Sequence, residues 1–283
     1  MSEICERGEI GETGKTDETD PIRHRIMIMS GKGGVGKTTV AVNLALRLVE
    51  NRKNTGLLDA DITGPNIPKM LNIEDELPSA DEELLIPVYL PLGCDHGLSV
   101  MSMAFMIEKD AAVPWHGQLR TDFIRQFVEG IRWDWMGALD YLLIDLPPGT
   151  GDEPMSIVEL MDVDGVIIVT TPQDVALLDT RKAINMARYL EIPVIGIVEN
   201  MSGFVCPHCG YEIDLFGKGG GERVAEEMGV PFLGSVPLDP LVVRSGDSGI
   251  PFVLEINSAT ARSFEAIVDR MDEVIKSMKS KAS

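Results

Sequence analysis

The sequence predicts an α/β fold in which a mostly parallel sheet is covered by helices on both faces. Three observations carry that expectation. Short runs rich in Val and Ile recur along the chain, they alternate with amphipathic stretches of helical spacing, and the first run passes through a glycine-rich turn directly into the first helix.

Taken in order, residues 1–22 are polar, rich in Gly and Glu and without periodicity, and read as a disordered acidic tail. Residues 23–283 read as a single domain. RIMIM at 25–29 is a buried strand, and 38–50 carries apolar residues at helical spacing. Further strands are expected near 56–59, 97–101, 141–145, 165–170, 193–199 and 232–235, between helical stretches near 116–130, 176–190 and 219–228, with a last helix over 258–279. The acidic, Pro-interrupted segment 73–92 reads as a surface excursion, and MSMAFMI at 101–107 as core packing. In the last helix Phe264, Ile267, Val268, Met271, Ile275 and Met278 form one stripe. The opposite face mixes both charge signs, which suits packing on the domain rather than on a lipid surface.

Composition narrows the function. Forty-five acidic against 25 basic residues give a formal net charge of -20, which opposes binding to nucleic acid phosphates or anionic lipid. No apolar run approaches the roughly 18 residues of a membrane helix, and the N-terminus has no apolar core for a secretory signal, so a cytoplasmic protein is expected. Only four cysteines occur, Cys5, Cys94, Cys206 and Cys209, too few and too unevenly placed for a disulfide framework.

Gly31, Lys32, Gly33, Gly34, Val35, Gly36, Lys37 and Thr38 satisfy G-x-x-x-x-G-K-[ST] between a predicted strand and a predicted helix, the setting of an ATP phosphate cradle. Its glycines let successive N–H groups converge on a phosphate at the positive end of a helix, and Thr39 extends the cradle. Lys37 supplies a point charge to the β/γ oxygens, and the Thr38 hydroxyl suits Mg²⁺. Asp145 closes the apolar run at 141–144, where a strand-end carboxylate serving Mg²⁺ belongs. Asp59-Ala60-Asp61 ends the second strand in the same way and offers Asp61 to orient attacking water. The loop 146–152, LPPGTGD, has glycines that let its backbone move when a γ-phosphate arrives.

These motifs resemble a known set. Lys32 ahead of the usual P-loop lysine resembles the deviant Walker A (KGGVGKT) of the MinD/ParA/nitrogenase-iron-protein class. Within that class LDADITGPNIP, DLPPGTGD, TTPQDVALLD and ENMSGFVCPHCG look like the Mrp/ApbC branch of ATP-dependent iron–sulfur cluster carriers. The resemblance runs from about Ile22 to the C-terminus. It implies a homodimer in which Lys32 reaches the nucleotide across the interface, a water-positioning Asp61, a Mg-linked Asp145, and adenine contacts from Asn200, Pro237 and Asp239. Apo iron–sulfur proteins are the implied partners, with no nucleic acid and no membrane. The tail has Cys5 alone where many relatives carry a four-cysteine motif, and Trp115-His116-Gly117-Gln118 stands where the branch often reads WRGP.

Cys206-Pro207-His208-Cys209-Gly210 follows a predicted strand in a Gly/Pro turn, and its two thiols are spaced to chelate one tetrahedral centre. Two thiolates are half a site. Four ligands need either a two-fold dimer that brings two pairs together or an external ligand. A [4Fe-4S] cluster and zinc both satisfy such a set, and the same string occurs in thioredoxin-like oxidants. Two readings therefore follow: an ATP-hydrolysing cluster carrier, and a MinD/ParA-like regulatory ATPase with zinc at the cysteine pair.

Overall fold

The structure, a computed structural model, describes residues 20–81, 84–93, 96–107, 118–206, 208–250 and 259–282. Cys5, Cys94 and the 115–117 stretch lie outside the described residues. The chain enters the fold slightly before the predicted boundary: Ile22 is buried and bridges to Leu139, and the Ile22 N–H donates to Asp20.

One eight-stranded sheet organises the described residues. Its strands are β1 (Arg25–Met29), β2 (Thr55–Asp59), β5 (Val88–Pro91), β6 (Gly97–Ser102), β7 (Tyr141–Asp145), β8 (Gly165–Thr170), β9 (Val194–Glu199) and β12 (Phe232–Ser235). Their order is β12-β9-β8-β1-β7-β2-β6-β5, parallel throughout except for β5, which runs antiparallel to β6. All seven predicted strands are present, with β1 between β7 and β8.

Alternation along β1 shows why both faces are covered. Ile26 and Ile28 point into one apolar cluster, Met27 and Met29 into the other. The first cluster is closed by α1 (Lys37–Glu50) and α8 (Ala259–Ala282), through Leu44, Leu48, Phe264, Ile267 and Met271. The second is closed by α3 (Gln118–Glu129), α4 (Asp152–Leu160), α5 (Asp174–Tyr189) and α6 (Gly220–Met228), through Ile124, Phe127, Ile157, Ile184 and Val224. The apolar stripe of α8 packs on the domain as its pattern requires. Met101 and Met103 are fully buried.

Segment 73–92 is more than an excursion. It forms a hairpin of β3 (Ser79–Asp81) and β4 (Leu84–Ile86), then adds β5 to the sheet with Val88 buried, and Pro91 ends that edge strand. Three short helices also escape the sequence pattern: α2 (Ile67–Met70), α4, and α7 (Pro240–Ser248). The last begins with Asp239 capping the Leu241 N–H and Pro240 in the first turn, a start signal that local sequence does contain. The cysteine turn lies on a two-stranded hairpin, β10 (Phe204–Val205) and β11 (Glu212–Ile213).

Candidate functional site

Strand order places the ends of β1, β2, β7, β8 and β9 side by side, and the predicted site residues emerge there. Between β1 and α1 the phosphate loop turns through Gly34 and Gly36, both at φ 79°, a conformation side chains disfavour. A Cβ on Gly36 would collide with the Asn200 amide, and nothing lies within 4 Å of one on Gly34. No side chain caps the start of α1, so its first-turn N–H groups face the loop unclaimed by a cap.

The carboxylate predicted on β7 is in contact with this loop. Lys37 Nζ lies 2.5 Å from Asp145 Oδ1, and the Thr38 hydroxyl donates to Asp145 Oδ2 at 2.7 Å. Both Lys37 and Asp145 are buried. Burial pushes the Asp145 carboxyl up from its ordinary value, and the charge and hydrogen bonds of Lys37 and Thr38 oppose that shift.

Asp59, which sequence reasoning passed over in favour of Asp61, stands directly opposite Asp145 in the β2–β7 register. It is fully buried, accepts from the Ser102 hydroxyl at 2.8 Å, and is approached by the N–H groups of Asp61 and Ile67 at 3.3 Å. Burial, and then the neighbouring Asp145, push it up to about 8, so it is protonated at neutral pH. The signal was present: Asp59 ends its apolar run just as Asp145 does. Asp61 is buried in a tight turn of its own, its Oδ1 accepting from Thr63 N, Thr63 Oγ1 and Gly64 N at 3.0, 2.6 and 3.2 Å. Lys32 is half-buried, and the Ser30 hydroxyl donates to its carbonyl at 3.0 Å.

Asn200, Pro237 and Asp239 come together with Gly36, Thr38 and Thr39 around one cavity of about 410 Å³, which α2 and α7 complete through Lys69, Met70 and Val242. That size suits a nucleoside. Asn200 Nδ2 donates to the Val35 carbonyl at 2.9 Å, fixing the loop to the end of β9. Asp239 lines the cavity, but its two oxygens are engaged, one by the Leu241 N–H and the other by the Thr260 hydroxyl at 2.7 Å.

The cysteine pair sits apart from this cavity, at the tip of the β10–β11 hairpin. The Cys206 N–H donates to Tyr211 O and the Gly210 N–H to Cys206 O, both at 2.9 Å, with Gly210 at φ 70° closing the turn. Both thiols are free, Cys206 partly buried and Cys209 exposed. The N–H groups of His208 and then Cys209, with the Cys209 side chain, hold the Cys206 thiol below its ordinary range, which favours the metal-binding thiolate. His208 is exposed. Among the described residues no group of three or more His, Cys, Asp or Glu is placed to hold a metal ion. Around the cysteine pair Val205, Tyr211, Leu215 and Phe216 are exposed.

Residues 21–272 match the ParA family, described as NUBPL iron-transfer P-loop NTPase. The chain belongs to that family of iron–sulfur cluster carrier P-loop NTPases. It is 49% identical over 260 residues to an iron–sulfur cluster carrier protein of Methanocaldococcus jannaschii, covering 91% of this chain and 87% of the relative. A cytosolic Fe–S cluster assembly factor NUBP2 homolog of Nematostella vectensis is 45% identical over 255 residues, covering 88% of this chain and 93% of the relative. Among solved structures, a nucleotide-binding protein of Archaeoglobus fulgidus in complex with ADP superposes with a TM-score of 0.72 at 38% identity, covering 86% of this chain and 92% of that one. MinD of Pyrococcus furiosus, at 23% identity and a TM-score of 0.64 over 89% of this chain and 99% of its own, shares the fold. The protein is thus a member of a nucleotide-binding carrier family.

Proposed function

We propose that the protein is a slow, Mg-dependent ATPase that carries a labile [4Fe-4S] cluster between two copies of the chain, on Cys206 and Cys209 of each, and delivers it to apo-proteins in the cytoplasm. The observation that carries this reading is the hairpin tip itself: two free thiols on one turn, one with its thiolate favoured, and no third ligand among the described residues. A second copy supplies two further thiolates and completes a four-ligand set.

At the other end, the uncapped first turn of α1 and the N–H groups of the loop cradle the phosphates. Lys37, already poised on Asp145, neutralises charge on the β/γ oxygens. Thr38 Oγ1 and Asp145 Oδ2 converge as two oxygen donors, a set that fits Mg²⁺, which would neutralise phosphate charge there. Asp61 is held rigidly enough by Thr63 and Gly64 to orient water, and the family resemblance assigns Lys32 the contact with the nucleotide of the second copy. Gly149, at φ 103°, gives loop 146–151 the freedom to answer the γ-phosphate.

The test is transfer of a reconstituted cluster to an apo-ferredoxin, followed by circular dichroism with and without Mg-ATP. The expected result is that ATP changes the transfer rate in the native chain and not in Lys37→Ala. Equal rates in both proteins under both conditions would remove hydrolysis from the carrier cycle.

A further inference from the structure

Glu199 is the last residue of β9 and is fully buried. Its donors are the Ser202 hydroxyl on Oε1 at 2.6 Å, the Gly219 N–H on Oε1 at 2.9 Å and the Gly221 N–H on Oε2 at 2.5 Å. These donors mark the two roots of one segment. Ser202 is where the chain leaves β9 for the cysteine hairpin, and Gly219 and Gly221 are where it returns and begins α6. That helix has no side-chain cap of its own, so the Glu199 carboxyl fills the anion position at its start from another strand. The fit is close: a Cβ on Gly221 would meet Glu199 Cβ at 3.1 Å and Oε2 at 3.2 Å. Backbone bonds from Ser202 N to Val236 O at 2.9 Å and from Leu238 N to Gly203 O at 2.8 Å fasten the outgoing root to the segment that follows β12 as well.

The next residue faces the other way. Asn200 donates to Val35 O in the phosphate loop, occupies the space beside Gly36, and lines the nucleoside cavity. Two consecutive residues at one strand end therefore hold the two functional ends of the molecule. Residue 200 holds the phosphate loop, and residue 199 holds both roots of the hairpin that presents Cys206 and Cys209.

We infer that Glu199 is a positioning residue that couples occupancy of the phosphate loop to the geometry of the Cys206–Cys209 hairpin, by clamping both hairpin roots to the strand end that also carries Asn200. A displacement of Val35 and Gly36 on phosphate binding shifts the Asn200 amide. The peptide joining 199 to 200 passes that shift to a carboxyl whose three bonds close the hairpin at its base. Because the carboxyl is fully buried and its bonds are short, they transmit a displacement that a solvated contact would dissipate. The inference rests on the carrier reading for its biological meaning, and its test uses no cluster, so the two fail separately.

The experiment measures the anaerobic alkylation rate of Cys206 and Cys209 by iodoacetamide in the full chain, with and without Mg-ADP. Peptide mass spectrometry supplies the rates, at a protein concentration where gel filtration shows one oligomeric state in both conditions. In the native chain ADP changes the rate about fivefold, a size ordinary for coupled sites. Glu199→Gln keeps the shape of the side chain and weakens its acceptor set, so ADP still binds, with a Kd changed by no more than the about fivefold coupling, while the rate ratio falls to one. Glu199→Asp keeps the acid but is one methylene too short to reach both roots, and gives an intermediate ratio. Ser202→Ala, which removes only one donor, lowers the ratio in the same direction and covers the case in which the Gln variant does not fold. A merely structural role would change the absolute rates in Glu199→Gln and leave the ADP ratio at its native value, and that result overturns the inference. So does a native chain whose rates ignore ADP. Failure of the carrier reading shows separately, as an absence of iron and sulfide uptake alongside an intact ADP ratio.

Discussion

Replacing Asp59 with Asn tests the electrostatics of the strand ends. The Asp59 carboxyl is fully buried beside Asp145 and is pushed up to about 8, whereas in the unfolded chain an Asp titrates near 3.9. Between those values the folded state holds a proton that the unfolded chain has released. Unfolding then frees a proton, and raising the pH favours the unfolded chain. The contribution of Asp59 to stability is thus complete below about pH 4 and is lost progressively as pH rises to about 8, by at most ~1.4 kcal/mol per pH unit. From pH 6 to pH 8 this amounts to roughly 2–3 kcal/mol. The Asn side chain has the shape of the protonated acid and does not titrate, so Asp59→Asn removes the slope while keeping an acceptor for Ser102. Urea unfolding at pH 6, 7 and 8 without added nucleotide, with the two proteins compared at each pH, reads the difference directly. The native chain should lose roughly 2–3 kcal/mol relative to Asp59→Asn across that interval and level off above it. Parallel pH profiles for the two proteins, or a native chain that gains relative stability as pH rises, would refute the assignment of a protonated Asp59.

Other outcomes follow from the same structure. Lys37→Ala leaves Asp145 buried without its cation, and should cost about 3–5 kcal/mol in urea unfolding as well as abolishing binding of a fluorescent ADP analogue. Gly36→Ala forces a side chain to φ 79° against the Asn200 amide. It should destabilise the fold by about 1–3 kcal/mol and weaken ADP binding at least about tenfold in calorimetry. Phe264→Ala empties a fully buried site beneath α8, and should lower unfolding free energy by about 3–5 kcal/mol with little change in ADP affinity once folded.

How far the sequence carried the reading depends on how local each cause is. The phosphate loop was legible because glycine, lysine and threonine at fixed spacing do their work within one turn, and Asp145 was legible because a single strand end suffices to place it. Asp59 and Glu199 were not. Each looks like an ordinary strand-end acid, and its role comes from what the sheet order brings beside it: Asp145 across the β2–β7 register, and the two hairpin roots around β9. The core strands were found because apolar runs announce burial on both faces. The edge strand β5 was missed because Pro-interrupted, acidic flanks resemble a loop, although protecting a sheet edge calls for those same residues. Helix α2 has four residues, too few for a periodic stripe; α4 carries Pro154 near its start, and α7 buries none of its residues, so cap signals such as Asp239-Pro240 are what could have revealed it. For Asp239 itself, the family resemblance implied an adenine contact, and the structure shows the cap of α7 and a hydroxyl acceptor for Thr260 at the cavity wall.

The central claim, that the hairpin cysteines carry an iron–sulfur cluster shared between two chains, is tested most directly by anaerobic reconstitution with iron and sulfide of the native chain and of a Cys206→Ser/Cys209→Ser variant, with metal, sulfide and visible-absorption analysis. The account predicts about four irons and four sulfides per two chains, absent from the variant. Tightly held zinc with no cluster, or equal iron and sulfide in both proteins, would contradict it.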